Sequence, residues 1–364
     1  MAACNQAPVE SEPVVVPTLA LAVLQPTELP TPTPTSTATP NLPQTLTTLP
    51  TPTATIPGTP TPIQSGGVVD PAQFNATPRS LGGDASELDL GLTDFETRPP
   101  PLPVPLAIHP EDHYWLARPI PSGSRNYDLP WYPFGNDVLI PALAPYRVHH
   151  GVDFPNPPGA AVLAAGDGTV IWAGPRPSPR NGINYYGNTI IIEHDWQWRS
   201  QPVYTLYAHT LEMFVQVGDR VQQGQLLAGV GGSGQVSGTH LHFEVRVGGN
   251  GYFNTRNPAL WLPPYEGWGT LAGRMIDRLG EPIPGADLTI IPLETFEETF
   301  IRRQKTYVDP RLPSDEVWQE NFVVADLPAG RYRVEAEVIP EPGLLQTYTN
   351  EISILTGQTN FLLI

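Results

Sequence analysis

The chain has 364 residues, enough for more than one domain, and its 36 acidic against 19 basic residues give a formal net charge of −17. That balance excludes nucleic acid as a partner, because binding it needs basic surface to neutralise phosphates, and with Lys305 the only lysine, lysine-based chemistry is excluded everywhere else. A single cysteine, Cys4, excludes an intramolecular disulfide and a cysteine-bound metal, so any metal must be held by histidine and carboxylate.

The first residues read Met1-Ala2-Ala3-Cys4-Asn5-Gln6. Small residues directly before a cysteine, then a polar, proline-rich run, resemble the lipobox of bacterial lipoproteins, whose cysteine is acylated once a signal peptide is removed. No basic and apolar leader precedes Cys4. The resemblance therefore implies a true start upstream, and the alternative is an ordinary free thiol. The apolar run from Val14 to Leu24 is too short to span a bilayer and is interrupted by Pro17. Membrane contact is expected only through a lipid on Cys4.

From about Pro26 to Ile63 the chain is almost entirely Thr, Pro, Ser, Ala and Leu, as in Thr31-Pro32-Thr33-Pro34-Thr35. Proline fixes φ and removes amide donors, and nothing here can bury a core, so this reads as a disordered, extended stalk. Gln64 to about Pro105 stays polar, with acidic residues around Asp84 to Glu96, and reads as further linker. Ordered structure is expected from about His109, where Tyr114, Trp115, Trp131, Tyr132 and Phe134 are too apolar for a free linker and are expected to pack on the following domain or to line its cleft.

From His149 the chain becomes a series of short strands punctuated by glycine, with no long segment of 3.6-residue period, which predicts an all-β domain. Ala161 to Ala165 and Thr169 to Ala173 flank Gly166-Asp167-Gly168 and predict a tight hairpin. Strands are predicted at Asn188 to His194 and Val203 to His209. In Gly238-Thr239-His240-Leu241-His242-Phe243-Glu244-Val245 the alternation puts His240, His242 and Glu244 on one face and Leu241, Phe243 and Val245 on the other, which is predicted to be buried. The last quarter is a second β-rich unit. Gly273-Arg274-Met275-Ile276-Asp277, Pro282-Ile283-Pro284-Gly285-Ala286 and Leu327-Pro328-Ala329-Gly330 resemble the signature of carboxypeptidase-regulatory-like (prealbumin-like) β-sandwich domains. That unit brings no catalytic residues, and a spacer, stability or adhesion role is expected of it. The expected organisation is an N-terminal segment at 1–25, linker at 26–108, a first domain at 109–267 with its core at 148–262, and the β-sandwich at 268–364.

Six of the eight histidines lie between His149 and His242. A catalytic zinc site uses three protein ligands and leaves one position for water. The chain offers His149 with Asp153, the pair His240 and His242, and His209 at the end of a strand between them.

These motifs, His149-x-Gly151-x-Asp153, Tyr207-Ala208-His209 and His240-Leu241-His242-Phe243-Glu244, resemble those of the lysostaphin-type (LytM-like) zinc metalloendopeptidases, which cleave peptidoglycan peptides. Ala165 to Val170, Tyr186-Gly187-Asn188 and Val217 to Gln225 fit as well, so the resemblance runs from about Val148 to Pro258. It implies that His149, Asp153 and His242 hold Zn2+, and that His209 and His240 flank the bound water and the scissile carbonyl. It further implies an extracytoplasmic, monomeric hydrolase of the cell envelope acting on peptidoglycan stem or cross-bridge peptides. The alternative is a non-catalytic relative that binds the wall or activates another hydrolase. His150 and His194 are expected to be structural, His109 and His113 to belong to the packing segment, and Glu244 to be either a support for a ligand or a solvated residue. The sequence departs from the family pattern at Asp137, Thr210 and Thr239, none of them a ligand position, and beside that pattern Asp195 to Gln201, with Trp196 and Trp198, looks like an inserted loop of the kind that walls the substrate groove.

Overall fold

The computed structural model describes residues 98–127, 132–137, 148–294, 301–341 and 344–364. Cys4, the stalk, most of the linker and Trp131 lie outside the described residues.

The short, glycine-punctuated apolar runs form strands throughout. Among the described residues there is no α-helix, and two three-residue 3-10 turns, Tyr252–Asn254 and Pro258–Leu260, are the helical elements. The first nine strands are β1 (Val152–Pro155), β2 (Ala161–Leu163), β3 (Gly168–Pro175), β4 (Asn188–Trp198), β5 (Gln201–Thr210), β6 (Arg220–Val221), β7 (Leu226–Gly229), β8 (His240–Val247) and β9 (Thr255–Arg256). Seven of them form one antiparallel sheet in the order β1-β8-β5-β4-β3-β6, with β9 on β8, while β2 and β7 pair separately. The sheet's apolar face carries the main core, and Leu241, Phe243 and Val245 on β8 are fully buried in it. A one-residue slip of β8 would turn all three outward. At roughly 1.5–3 kcal/mol for each large apolar side chain, the loss fixes the register.

Two sequence expectations differ from the structure. Ala161–Leu163 and Gly168–Pro175 are not partners in a hairpin: β2 pairs with β7, and β3 pairs with β4 and β6. The intervening segment crosses between sheets, tied by Ala164 N–H to the Gln225 carbonyl (2.9 Å) and by Gln223 N–H to Asp167 Oδ1 (2.7 Å). Asp195 to Gln201 is not a free loop either, but the end of the β4–β5 hairpin. Arg199 and Ser200 form its two-residue turn with φ of 48° and 63°, as a right-handed strand twist requires. Trp196 and Trp198 then pack against His113, Trp115 and Trp261.

The remaining strands are β10 (Trp268–Arg274), β11 (Asp287–Pro292), β12 (Arg302–Lys305), β13 (Phe322–Pro328), β14 (Gly330–Glu341), β15 (Leu344–Ile354) and β16 (Thr359–Leu363). They make a three-stranded sheet, β13-β10-β16, and a four-stranded one, β12-β11-β14-β15, antiparallel except for the β10–β16 pair. Leu271, Phe322, Val324 and Leu327 from the first meet Leu288, Ile290, Val334 and Ala336 from the second in a core of their own. Residues 98–127 strap the two units together. Tyr114 is bonded through its hydroxyl to Thr359 Oγ1 (2.8 Å), and buried Arg118 donates to Asp326 and to the Pro263 carbonyl.

Candidate metal centre

The ladder between β1, β8 and β5 assembles the centre. Asp153 on β1 stands opposite His242 on β8, and Ala208 on β5 stands opposite His242 from the other side, so His209 follows immediately beside it. Residues facing each other across a ladder have Cβ atoms about 5 Å apart, which brings together side chains far apart in sequence. His149 lies just before β1, and its neighbour Gly151 faces His242. A Cβ on Gly151 would stand 2.4 Å from the Phe243 carbonyl oxygen and 2.9 Å from His242 Nε2. The glycine of the first motif is therefore the space that the His242 ring fills.

His149 Nε2, Asp153 Oδ1 and His242 Nδ1 converge on one buried point. The separations are 3.2 Å for His149–Asp153, 3.1 Å for His149–His242 and 2.9 Å for His242–Asp153. No other group of three or more potential ligands is found among the described residues. The outer hydrogen bonds decide what these atoms present. His149 Nδ1 donates to the Tyr132 carbonyl (3.0 Å), leaving a lone pair at Nε2. His242 Nε2 donates to Glu244 Oε1 (3.0 Å), leaving Nδ1 facing inward. Two lone pairs and a carboxylate oxygen therefore point at one another with no proton between them unless one is added. A tetrahedral zinc with bonds of about 2.0–2.1 Å holds its ligand atoms roughly 3.3 Å apart, so the donor set and its spacing fit such an ion.

Without an ion, a proton serves. Burial opposes charge on His242, but its hydrogen bonds to Asp153 and Glu244 and the charges of both carboxylates outweigh this and push the imidazole up to about 9. Burial likewise opposes charge on Asp153, yet the neighbouring His149 and His240, with the hydrogen bond from His242, hold it well below the usual carboxylate range. Glu244 is fully buried, not a solvated face residue. Besides His242 it accepts from the Tyr186 hydroxyl (2.7 Å) and Arg246 Nε (2.7 Å). Burial alone would raise it, but Arg246 and His242 keep it ionised. A histidine backed by a carboxylate in this way is held in one tautomer and one orientation.

His209 and His240 stand beside this centre, their rings 4.8 Å apart, with His209 5.8 Å from the His242 ring. His209 Nδ1 donates to the Ser233 carbonyl (2.9 Å) and His240 Nδ1 to that of Gly238 (3.0 Å), so both keep a free Nε2. Burial, then neighbouring histidines, hold His209 well below its ordinary value. His240 is also lowered, by burial first, although Asp153 acts the other way from 3.6 Å. His209 has φ of 62°, a left-handed conformation rare for a residue with a side chain and a form of strain that clusters at functional sites.

The other histidines do not join the centre. His150 turns away and stacks on Tyr252 (3.2 Å between ring centroids). His194 is buried between the Asp167 carbonyl and Thr205 Oγ1. His113 faces Asp315 at 3.0 Å with both side chains fully buried. Tyr132, expected to pack on the domain or to line its cleft, stacks on His149 (3.9 Å, 12°) and supplies its carbonyl. Sequence reading did not single out Tyr186, Arg246, Ser233 and Gly238 as parts of the site. Tyr186 and Arg246 could have been suspected from the Tyr-Gly-Asn motif and the alternation of β8. The carbonyls of Tyr132, Ser233 and Gly238 had no signal, because a backbone acceptor does not depend on residue type.

Such a donor set, carried on an antiparallel β-sheet, is a candidate metal site. Residues 147–254 match the pattern of Peptidase family M23, on the stretch where the motifs resemble those of the lysostaphin-type peptidases. The DD-carboxypeptidase/endopeptidase Mpg of Neisseria meningitidis is 38% identical over 117 residues, which cover 32% of this chain and 24% of the relative. The murein hydrolase activator NlpD of Escherichia coli is 37% identical over 113 residues, covering 31% and 26%. The catalytic domain of lysostaphin from Staphylococcus simulans is 27% identical, with a TM-score of 0.30, over 35% of this chain and 86% of that domain. The chain spans about a quarter of the length of these curated relatives.

Proposed function

We propose that the chain is a zinc-dependent endopeptidase hydrolysing peptide bonds in peptidoglycan stem or cross-bridge peptides. The observation that carries this reading is the convergence of His149 Nε2, Asp153 Oδ1 and His242 Nδ1 on one point, with two neutral imidazoles beside it. His149, Asp153 and His242 would hold the ion. Zinc bound there would make a water acidic enough to ionise near neutral pH and polarise the scissile carbonyl.

The remaining work falls to the chain's own side chains. His209, whose Nδ1–H is tied to the Ser233 carbonyl, takes the attacking water's proton at Nε2 and returns it to the leaving amine. His240 rests neutral with its Nδ1–H on the Gly238 carbonyl; once protonated at Nε2 during the reaction, with its charge offset by the nearby Asp153 carboxylate, it would donate a hydrogen bond to the developing oxyanion. Peptidoglycan peptides as the partner place the protein outside the cytoplasm, in the cell envelope, with acylation of Cys4 as its attachment. The described residues contain no helix long and apolar enough to cross a membrane.

The activator reading is the alternative that the likeness to NlpD keeps in view. The complete donor set and both flanking histidines favour the enzyme. The test is zinc content together with mass spectrometry of muropeptides released from purified cell wall, with His242→Ala as control. Zinc binding and released peptides, both lost in His242→Ala, are expected. Release that persists in His242→Ala, or none from the zinc-loaded chain, would sink the enzyme reading. His240→Ala should keep its zinc and lose activity by about 10²–10³-fold.

A further inference from the structure

Of the three converging residues, Asp153 and His242 are fixed by the β1–β8 ladder, whereas His149 precedes β1 and belongs to no strand. A separate piece of chain, residues 132–137, holds it. His149 N–H donates to the Asn136 carbonyl (2.9 Å), Gly135 N–H donates to the His149 carbonyl (2.9 Å), and Tyr132 provides the stacked ring and the Nδ1 acceptor. Among the described residues, that piece makes one isolated bridge, between Asp137 and Val148. Its support comes from the C-terminal unit. Val308 N–H donates to the Gly135 carbonyl (3.0 Å), and the Tyr307 ring meets Phe134 edge-on at 5.3 Å. Gly135, at φ 83°, lies so close that a Cβ would stand 2.3 Å from Tyr307 Cδ1. Phe134, Tyr307 and Leu312 form one buried cluster with Val148, the residue next to His149. Tyr307 is itself anchored, donating to Glu320 Oε1 (2.7 Å) and accepting from Asn257 Nδ2 (3.1 Å). Neither 132–137 nor the segment around Tyr307 falls within residues 147–254, where the family match lies.

We propose that Tyr307 and Val308 are positioning residues for the His149 metal ligand, so that the C-terminal unit completes the metal centre instead of serving only as a spacer. This rests on the reading that His149, Asp153 and His242 hold zinc. A ligand whose outer contacts are lost keeps its chemistry but not its direction, and affinity for the ion falls.

The experiment measures zinc affinity of the full chain by competition with a chromophoric chelator, and the visible absorption of the Co2+-loaded protein. Tyr307→Leu and Gly135→Ala are compared with Leu288→Ala, which opens a cavity in the C-terminal core away from the contact. The two contact variants should bind zinc about tenfold or more weakly and alter the Co2+ spectrum, while Leu288→Ala stays within about threefold, as for loss of a ligand's outer support. Contact variants that bind as tightly as the unmodified chain, or a control that weakens as much as they do, would overturn the proposal. Should Tyr307→Leu fail to fold, Gly135→Ala decides alone. An unmodified chain that binds no zinc removes the metal reading and this proposal with it. Zinc binding lost in His242→Ala but unchanged in the contact variants removes this proposal alone.

Discussion

Gly151 separates the two ways in which a residue can matter at this centre. It supplies no ligand atom, yet a methyl group there would occupy the His242 ring position and press on the Phe243 carbonyl. Gly151→Ala is expected to lower kcat/KM about a hundredfold with the protein folded, because a displacement near 1 Å is enough for that; kinetics beside a circular-dichroism spectrum would check it. Glu244 acts through charge. Glu244→Gln removes the carboxylate behind His242 and should weaken zinc binding roughly 10–100-fold, read by chelator competition. His242 also sets a pH dependence. With its value in the metal-free chain raised from 6.5 to about 9, Nδ1 carries a proton that zinc must displace. Zinc uptake should release about one proton at neutral pH, and apparent affinity should rise with pH until about 9. Calorimetry in buffers of different ionisation heat measures the proton directly, and uptake without release would contradict the assignment.

Among the elements, β8 was the most legible, because a period of two sorts its side chains whatever the partners. Its polar face proved to be largely buried too, with Glu244 fully enclosed and His240 partly open, which alternation alone cannot show. The β4–β5 hairpin was not legible past His194. Its Arg199-Ser200 turn lacks the glycine that signals such turns, so the extra strand length read as a loop. The hairpin tip lies on the order of 20–25 Å along β5 from Ala208, at about 3.3 Å per residue, and its tryptophans meet the 98–127 strap, not the centre. Trp198→Ala should therefore cost stability, about 3 kcal/mol for a large aromatic, and leave kcat/KM unchanged. Denaturant unfolding and steady-state kinetics on the same preparation separate the two effects, and a large fall in kcat/KM would return the hairpin to the groove.

At the scale of the whole molecule, the two β units are joined by buried polar contacts as well as apolar ones. His113 meets Asp315, Arg118 meets Asp326, and Arg256 pairs with Glu316. Within this junction Glu320 is buried beside Asp315, and burial first, then that neighbouring charge, push its carboxyl from 4.5 up to about 8. A carboxyl raised in the folded chain binds its proton more tightly there than when unfolded. Its contribution is therefore fully present below about 4.5 and is lost as pH rises towards 8. Stability should fall across that window, and Glu320→Gln should flatten the slope. Thermal unfolding followed between about pH 5 and 8 would show it, and an unchanged slope would exclude Glu320 as its source.

The sequence by itself determined that the chain is all-β, since strand alternation and turn residues are local properties. It also marked His149, Asp153, His209, His240 and His242 as candidates, because rigid spacing on strands limits which side chains can share a face. The structure brings these five side chains together, and the roles assigned to them await the experiments above. Tertiary structure alone decided which strands pair, as with β2 on β7 instead of β3, since pairing depends on partners distant in the chain. It alone decided that Glu244 is buried behind His242 and that backbone carbonyls of Tyr132, Ser233 and Gly238 set the histidine tautomers, because carbonyl acceptors are common to every residue. The contact of Tyr307 with Gly135 joins positions more than 170 residues apart, and no local pattern encodes a meeting of that kind.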